Sequence, residues 1–188
     1  MSETRYKAQV ARPSEGSEPC RGDTPVTGIT RRRVSADNFR AAMARVATPV
    51  SVVTSLCAGT AHGSTVSAFL SLSLAPPMLL VSLDAASNLL SSLSVGSPIG
   101  VNVLASDQRE FARRFAVKST DKFAGIQWTL TAGVPRLPGL HIWMAGRVSD
   151  IRPAGDHALV LVDIEETSLG QGSPLTYWRG AFGTHSAS

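Results

Sequence analysis

The residues "GSTVSAFLSLSLAPP", 63–77, alternate strictly from Thr65 to Leu74. Val66, Ala68, Leu70, Leu72 and Leu74 fall on one side, and Thr65, Ser67, Phe69, Ser71 and Ser73 on the other. Successive side chains leave an extended backbone on opposite faces, so a period of two predicts a strand. One face is aliphatic. The other carries hydroxyls around a single aromatic ring and no charge. Pro76 and Pro77 stop this strand.

Working outward, "VSVVTSL" (50–56) reads as a strand that reaches the quoted segment through the turn "CAGTAHG". "MLLVSL" (78–83) reads as a central, buried strand. Ser87 caps a short helix carrying Leu89, Leu90 and Leu93. "PIGVNVL" (98–104) is a further strand, and Ser106 caps a helix on which Phe111 and Phe115 share a face. "LHIWMAGRVSDIR" (140–152) and "DHALVLVDIEETSL" (156–169) read as long strands paired around "PAG". Toward the N-terminus, Ser35 opens a helix expected to reach about Val46, with Phe39, Met43 and Val46 at helical spacing. Pro49 disfavours helical geometry at Thr48 and ends it. Many strands, few helices and no regular β-α-β alternation predict a mainly β fold. The expected form is a β-barrel with peripheral α-helices, not a doubly wound sheet.

The chain has 188 residues, of which 43% are hydrophobic and only 6% aromatic, so its core is aliphatic. The net charge of +4 is concentrated at one end. Residues 1–33 hold seven Lys or Arg against four acids, leaving 11 basic and 10 acidic residues in the remainder. A nearly neutral body with few aromatics argues against a nucleic-acid barrel. Residues 1–33 are rich in Pro, Gly, Ser and Glu and read as a disordered basic tail, followed by one domain over 34–185. Cys20 and Cys57 lie far apart and form no metal or disulfide pattern, which fits a reducing compartment. There is no secretory run and no span long enough to cross a bilayer, so a cytoplasmic protein without membrane contact is expected.

No G-x-G-x-x-G, no G-x-x-x-x-G-K-S/T and no G-x-S-x-G occurs, and His62, His141, His157 and His185 show no ligand spacing, so no metal site is expected. What remains is the hydroxyl face. By itself it reads better as a solvated strand face than as a binding surface. Phe69 among the hydroxyls, the absence of charge and the helix start at Ser87 favour a groove instead. Hydroxyls and a helix N-terminus suit a phosphate, and an uncharged polar groove beside an apolar wall suits a planar heteroaromatic ring.

Six blocks in order resemble the flavin reductase-like family, the short-chain NAD(P)H:flavin oxidoreductases of two-component monooxygenases. They are "FRAAMARVATPVSVVT", "GSTVSAFLSLSLAPPMLLVSL", "GVNVLASDQREFARRFA", "DKFAGIQW", "PAGDHALVLVDIEE" and "PLTYWRGAFG". The resemblance runs from about Ala36 to Gly183. It implies an FMN-binding split β-barrel of Greek-key type, usually a homodimer. It also implies NAD(P)H-dependent reduction of FMN or FAD, with NADH or NADPH as hydride donor, for a separate flavin-dependent monooxygenase. A flavin-binding oxidase or electron carrier on the same barrel is the alternative.

The same resemblance implies the site. Thr65, Val66, Ser67, Ala68, Phe69, Leu70, Ser71 and Leu72 would line the flavin, with Thr48, Pro49, Val50 and Ser51 across from them. Ser87, Asn102, Val103, Leu104 and Phe123 would complete the pocket. His157 would lie where the nicotinamide stacks, as the catalytic position, with Tyr177 and Arg179 at the same mouth. Each has a plainer reading: Asn102 bonds a loop, Phe123 packs in the core, His157 starts a strand, Arg179 is a surface charge. Lys118 and Lys122 hold an adenylate phosphate or face water, and Trp128 and Trp143 pack. Three positions depart from the family pattern: Pro49 where Gly is usual, Ala75 where Asp is common, and Ala85–Ala86 where a Lys or Arg often stands near the phosphate. A charge-assisted contact is therefore missing there, to be replaced by hydroxyls or by a cation from elsewhere.

Overall fold

The computed structural model describes residues 33–118 and 121–185, so the tail expected over 1–33 lies outside the described residues except for Arg33. Contacts divide the chain into residues 1–35 and 36–188, and only the second unit is treated below. In chain order it contains α1 (Ala36–Met43), β1 (Thr48–Pro49), β2 (Ser51–Cys57), β3 (Thr60–Val66), β4 (Phe69–Leu74), β5 (Pro77–Asp84) and α2 (Asn88–Ser91). Then follow β6 (Pro98–Val103), α3 (Arg109–Ala116), β7 (Thr129–Thr131), β8 (Val134–Arg136), β9 (Ile142–Ala154), β10 (His157–Leu169), β11 (Leu175–Trp178) and β12 (Ala181–Thr184).

Seven strands form one antiparallel sheet in the order β3-β2-β6-β9-β10-β5-β4. The edge strand β3 also approaches β5, which brings the two ends of the sheet together without a ladder between them. This is a split β-barrel, as expected. The long hairpin β9–β10 carries it. Gly155 at positive φ turns the chain, and the ladder runs from His157 opposite Ala154 to Leu169 opposite Ile142. A register shift between Ile164 and Glu166 bends β10 against Gly146. A Cβ on Gly146 would collide with the Asp163 carbonyl, so only glycine admits this approach.

The core has two parts. Val53, Val81, Leu83, Ile99, Val101, Val160 and Val162 fill the barrel. Val52, Leu104, Phe115, Leu137, Trp143 and Leu175 pack around α3 and β8. Aliphatic residues dominate both parts, as the low aromatic content predicts.

Three local expectations are corrected. The segment 65–74 is not one strand: β3 ends at Val66, residues 67 and 68 belong to no strand, and β4 starts at Phe69. On β4 the aliphatic side faces outward: Leu70, Leu72 and Leu74 are 53%, 43% and 82% exposed. α1 ends at Met43 rather than Val46 and buries no side chain. Ser106 does not cap α3. Residues 105–108 first close a turn, with the Gln108 N–H donating to the Ala105 carbonyl at 2.9 Å, so the helix starts later and Gln108 occupies the cap position.

Candidate functional site

A cavity of about 730 Å³ opens where β3 leaves its ladder. Its walls are the end of β3, the start of β2, α3 and the β11–β12 hairpin. Each wall is fixed by a specific bond. The Ser51 hydroxyl, fully buried, donates to the Val66 carbonyl at 2.8 Å and holds the end of β3 on β2. The Thr65 hydroxyl donates to the Ala112 carbonyl at 2.7 Å and holds β3 on α3. α3 presents two small residues, Ala112 and Ala116, to the cavity, flanked by Arg109 and Arg113. The hairpin adds Tyr177 and Phe182, cross-strand partners whose ring centroids lie 5.3 Å apart. Arg113 is paired with Glu110 at 2.8 Å and stands 6.0 Å over the Phe182 ring.

A second cavity, about 260 Å³, shares Thr65 and Ala116 with the first. It is lined by Ser64, Asp84, Ser87, Lys118 and Lys122, among others. The Lys122 ammonium donates to the Gly63 carbonyl at 3.1 Å and to the Phe115 carbonyl at 2.9 Å. Burial without a carboxylate partner lowers its pKa below 10.5. Arg114 holds the loop that presents Lys122, donating to the Lys122 carbonyl at 2.8 Å and to the Ala124 carbonyl. The Ser87 hydroxyl accepts from the Leu90 N–H at 3.4 Å as the cap of α2, which is a single turn. So short a helix has little dipole to offer an anion, and the cations here are the two lysines.

Of the residues singled out in the sequence, Val50, Thr65, Ser67 and Tyr177 line the first cavity and Thr65 and Ser87 the second. Thr48 and Pro49 stand beside that wall, opposite Tyr177 and Thr176 in register. Ala68 follows Ser67 out of the ladder, its carbonyl accepting from the Ser82 N–H at 2.8 Å. Ser51, Val66, Val103 and Leu104 are buried in the packing beneath. Asn102 is fully buried, and its side chain is fully occupied: it donates to the Val52 carbonyl and the Thr54 hydroxyl and accepts from the Leu137 N–H. Phe123 packs edge-on against Phe115 and Trp128. Trp143 is buried. Phe69, Leu70, Ser71 and Leu72 belong to β4 and are not among the residues that line this cavity.

His157 lies one step from the second cavity, opposite Asp84 across the β10–β5 ladder. Its Nδ1 is 2.8 Å from the Asp156 carboxylate, and that bond holds the Asp156 pKa below its ordinary value. Arg179, at positive φ, stacks on Trp178 at 4.7 Å and lines no cavity described above. Sequence reasoning passed over Arg109, Ala112, Arg113, Ala116 and Phe182. The signal was present on α3: Arg109, Ala112 and Ala116 recur at helical spacing beside the Phe111–Phe115 pair. Among the described residues no group of metal-ligating side chains converges, and no helix is long and apolar enough to cross a membrane.

The family model described as "Flavin reductase like domain" matches residues 43–186. The chain is 38% identical over 160 residues to the NADH:riboflavin 5'-phosphate oxidoreductase of Streptomyces pristinaespiralis, covering 82% of this chain and 90% of that one. It is 33% identical over 145 residues to the reductase component of a 4-nitrophenol 4-monooxygenase/4-nitrocatechol 2-monooxygenase from Rhodococcus opacus, covering 77% and 78%. Among solved structures, the styrene monooxygenase flavin reductase of Pseudomonas putida S12 superposes with a TM-score of 0.73 at 29% identity, over 80% of this chain and 99% of that one. With the split barrel and the joined cavities in view, the chain belongs to the flavin reductase-like domain family.

Proposed function

We propose that this protein is an NADH-dependent flavin reductase that releases reduced flavin to a separate flavin-dependent monooxygenase. The joined pair of cavities carries the reading. One is broad with an aromatic rim, the other narrow with two lysines, and they meet at Thr65 and Ala116. A planar ring with an anionic tail has the matching chemistry. The relatives named as an NADH:riboflavin 5'-phosphate oxidoreductase and as a monooxygenase reductase component support it.

The residues present fit a flavin. Val50, Tyr177 and Phe182 flank the ring. The main chain at Ser67 and Ala68, outside the strands, offers N–H groups to its polar edge. Ser87, Lys118 and Lys122 hold the phosphate, and the two lysines take over from the basic residue missing at Ala85 and Ala86. When both partners are bound, the chemistry supplied is hydride transfer from the nicotinamide to the flavin ring, which requires alignment from the protein and no side-chain acid. His157 orients the nicotinamide: its Nδ1 is tied to Asp156, and that bond fixes the ring. Arg109 and Arg113 place two cations at the mouth, where a nicotinamide dinucleotide brings its own phosphates.

The working form is a homodimer. The exposed row Leu70, Leu72 and Leu74 lies on the edge strand β4, which carries no charged residue to protect it. A second copy covers it. The assignment is tested by following NADH oxidation with and without added FMN or FAD, and again with NADPH. Consumption that requires flavin supports the reading; no consumption with either flavin contradicts it.

A further inference from the structure

The groove does not stop at the two lysines. A third cavity, about 310 Å³, shares Asn88, Leu89 and Lys122 with the second. Thr60, His62 and Ser91 supply its other side-chain walls. The three cavities are therefore neighbours in a row along β3: the first shares Thr65 and Ala116 with the second, and the second shares Lys122 with the third. The third has the size of a small-molecule site.

Its chemistry differs from that of the lysine cavity. Leu89, buried at 2% exposure, gives an apolar floor. The His62 imidazole, half-buried, gives a flat ring at the wall. The Asn88 amide and the Thr60 hydroxyl give donors and an acceptor. No carboxylate lines it. A ring to stack on, an amide to read an edge and an apolar floor suit a purine nucleoside. Lys122 stands at the junction. An ammonium has three N–H groups, and two are spent on the Gly63 and Phe115 carbonyls, which leaves one for a ligand. A single terminal phosphate ends in the second cavity. A pyrophosphate passes Lys122 and enters the third.

We propose that the third cavity holds the adenosine half of FAD, so that this chain binds FAD more tightly than FMN. The inference rests on the flavin reading of the first two cavities and extends it. It assigns to His62, Asn88 and Lys122 a role in choosing the flavin.

The test titrates the full chain with FMN and with FAD, in the wild type and in Ser91→Trp, by quenching of flavin fluorescence. Ser91 is exposed at the rim of the third cavity, so a tryptophan there obstructs it. The wild type should bind FAD about tenfold more tightly than FMN, and Ser91→Trp should remove that advantage while leaving FMN within about twofold. FMN binding reports that the variant is folded. A second readout is the His62 imidazole resonance, which should shift with FAD and not with FMN. Equal affinities in the wild type, or an advantage for FAD that survives Ser91→Trp with His62 unmoved, overturns the extension and leaves the flavin site standing. Failure of either flavin to bind overturns both.

Discussion

Tyr177 and Phe182 face each other across the β11–β12 hairpin, with ring centroids 5.3 Å apart and planes tilted by 58°, and both residues line the 730 Å³ cavity. Because each ring braces the other, the wall keeps its shape without a ligand. Phe182 also seats the Arg113 guanidinium. Phe182→Ala should therefore weaken flavin binding by about tenfold, about 1.4 kcal/mol, the scale of one aromatic contact. A fluorescence titration checks this. Unchanged affinity would mean that the hairpin is not a wall of the flavin site.

His157 should affect the donor and not the acceptor. Its ring is held by Asp156 at 2.8 Å and makes no contact with the lysine cavity beyond its register position opposite Asp84. In His157→Ala, NADH turnover should fall by about tenfold while the flavin dissociation constant stays within about twofold. Wild-type NADH kinetics in the variant would remove His157 from the mechanism.

Lys122 predicts a pH dependence of flavin binding. Its pKa is lowered by burial, so between that value and 10.5 the unfolded chain binds more protons than the folded one. Stability therefore rises with pH across that window, where the cost of the buried charge disappears. Binding runs the other way, because a phosphate needs the charged form. FMN affinity should fall as pH rises through an alkaline midpoint below 10.5, and Lys122→Met should flatten that fall. Lys118 and Asp84 are the other charged groups around the cavity. Riboflavin, which lacks the phosphate, controls for ionisation of the ring. An FMN profile parallel to that of riboflavin would remove Lys122 from phosphate binding.

The leucine row on β4 predicts the assembly state. Leu72→Glu places a charge on a strand edge that a second copy should cover, and should convert a dimer to a monomer in sedimentation equilibrium. A monomeric wild type at micromolar concentration would contradict the assignment.

Gly146 predicts a stability effect remote from the site. A methyl group there meets the Asp163 carbonyl across the β9–β10 ladder, at the bend of β10. Backbone cannot move aside as a side chain can, so Gly146→Ala should cost about 1–3 kcal/mol in denaturant unfolding.

Most of the barrel was legible because its signal is local. The apolar run of β5, the long strand segments of β9 and β10 and the turn at Gly155 each lie within one stretch of chain. The break at residues 67 and 68 was not legible, because Ser67 and Ala68 keep the parity of the strand on either side of it. Alternation also names two faces without saying which one meets the core, so the exposure of the β4 leucines could not be read from it. Val50, Thr65, Ser67, Ser87 and Tyr177, named through the family resemblance, line the two cavities. Arg109, Arg113 and Phe182 were missed for a physical reason: a cavity is made by elements distant in sequence, and only the fold brings α3 against the β11–β12 hairpin. Asn102 shows the opposite case, a buried polar residue that looks functional in sequence and whose hydrogen bonds are all spent on the scaffold.

The most direct test is an anaerobic stopped-flow absorbance trace in the oxidised-flavin band, mixing the protein and FMN, then the protein and FAD, with NADH. Rapid bleaching that depends on the protein is the predicted result. A flavin that binds and keeps its colour in the presence of NADH would contradict the account, and would make the barrel a flavin carrier or oxidase rather than a reductase.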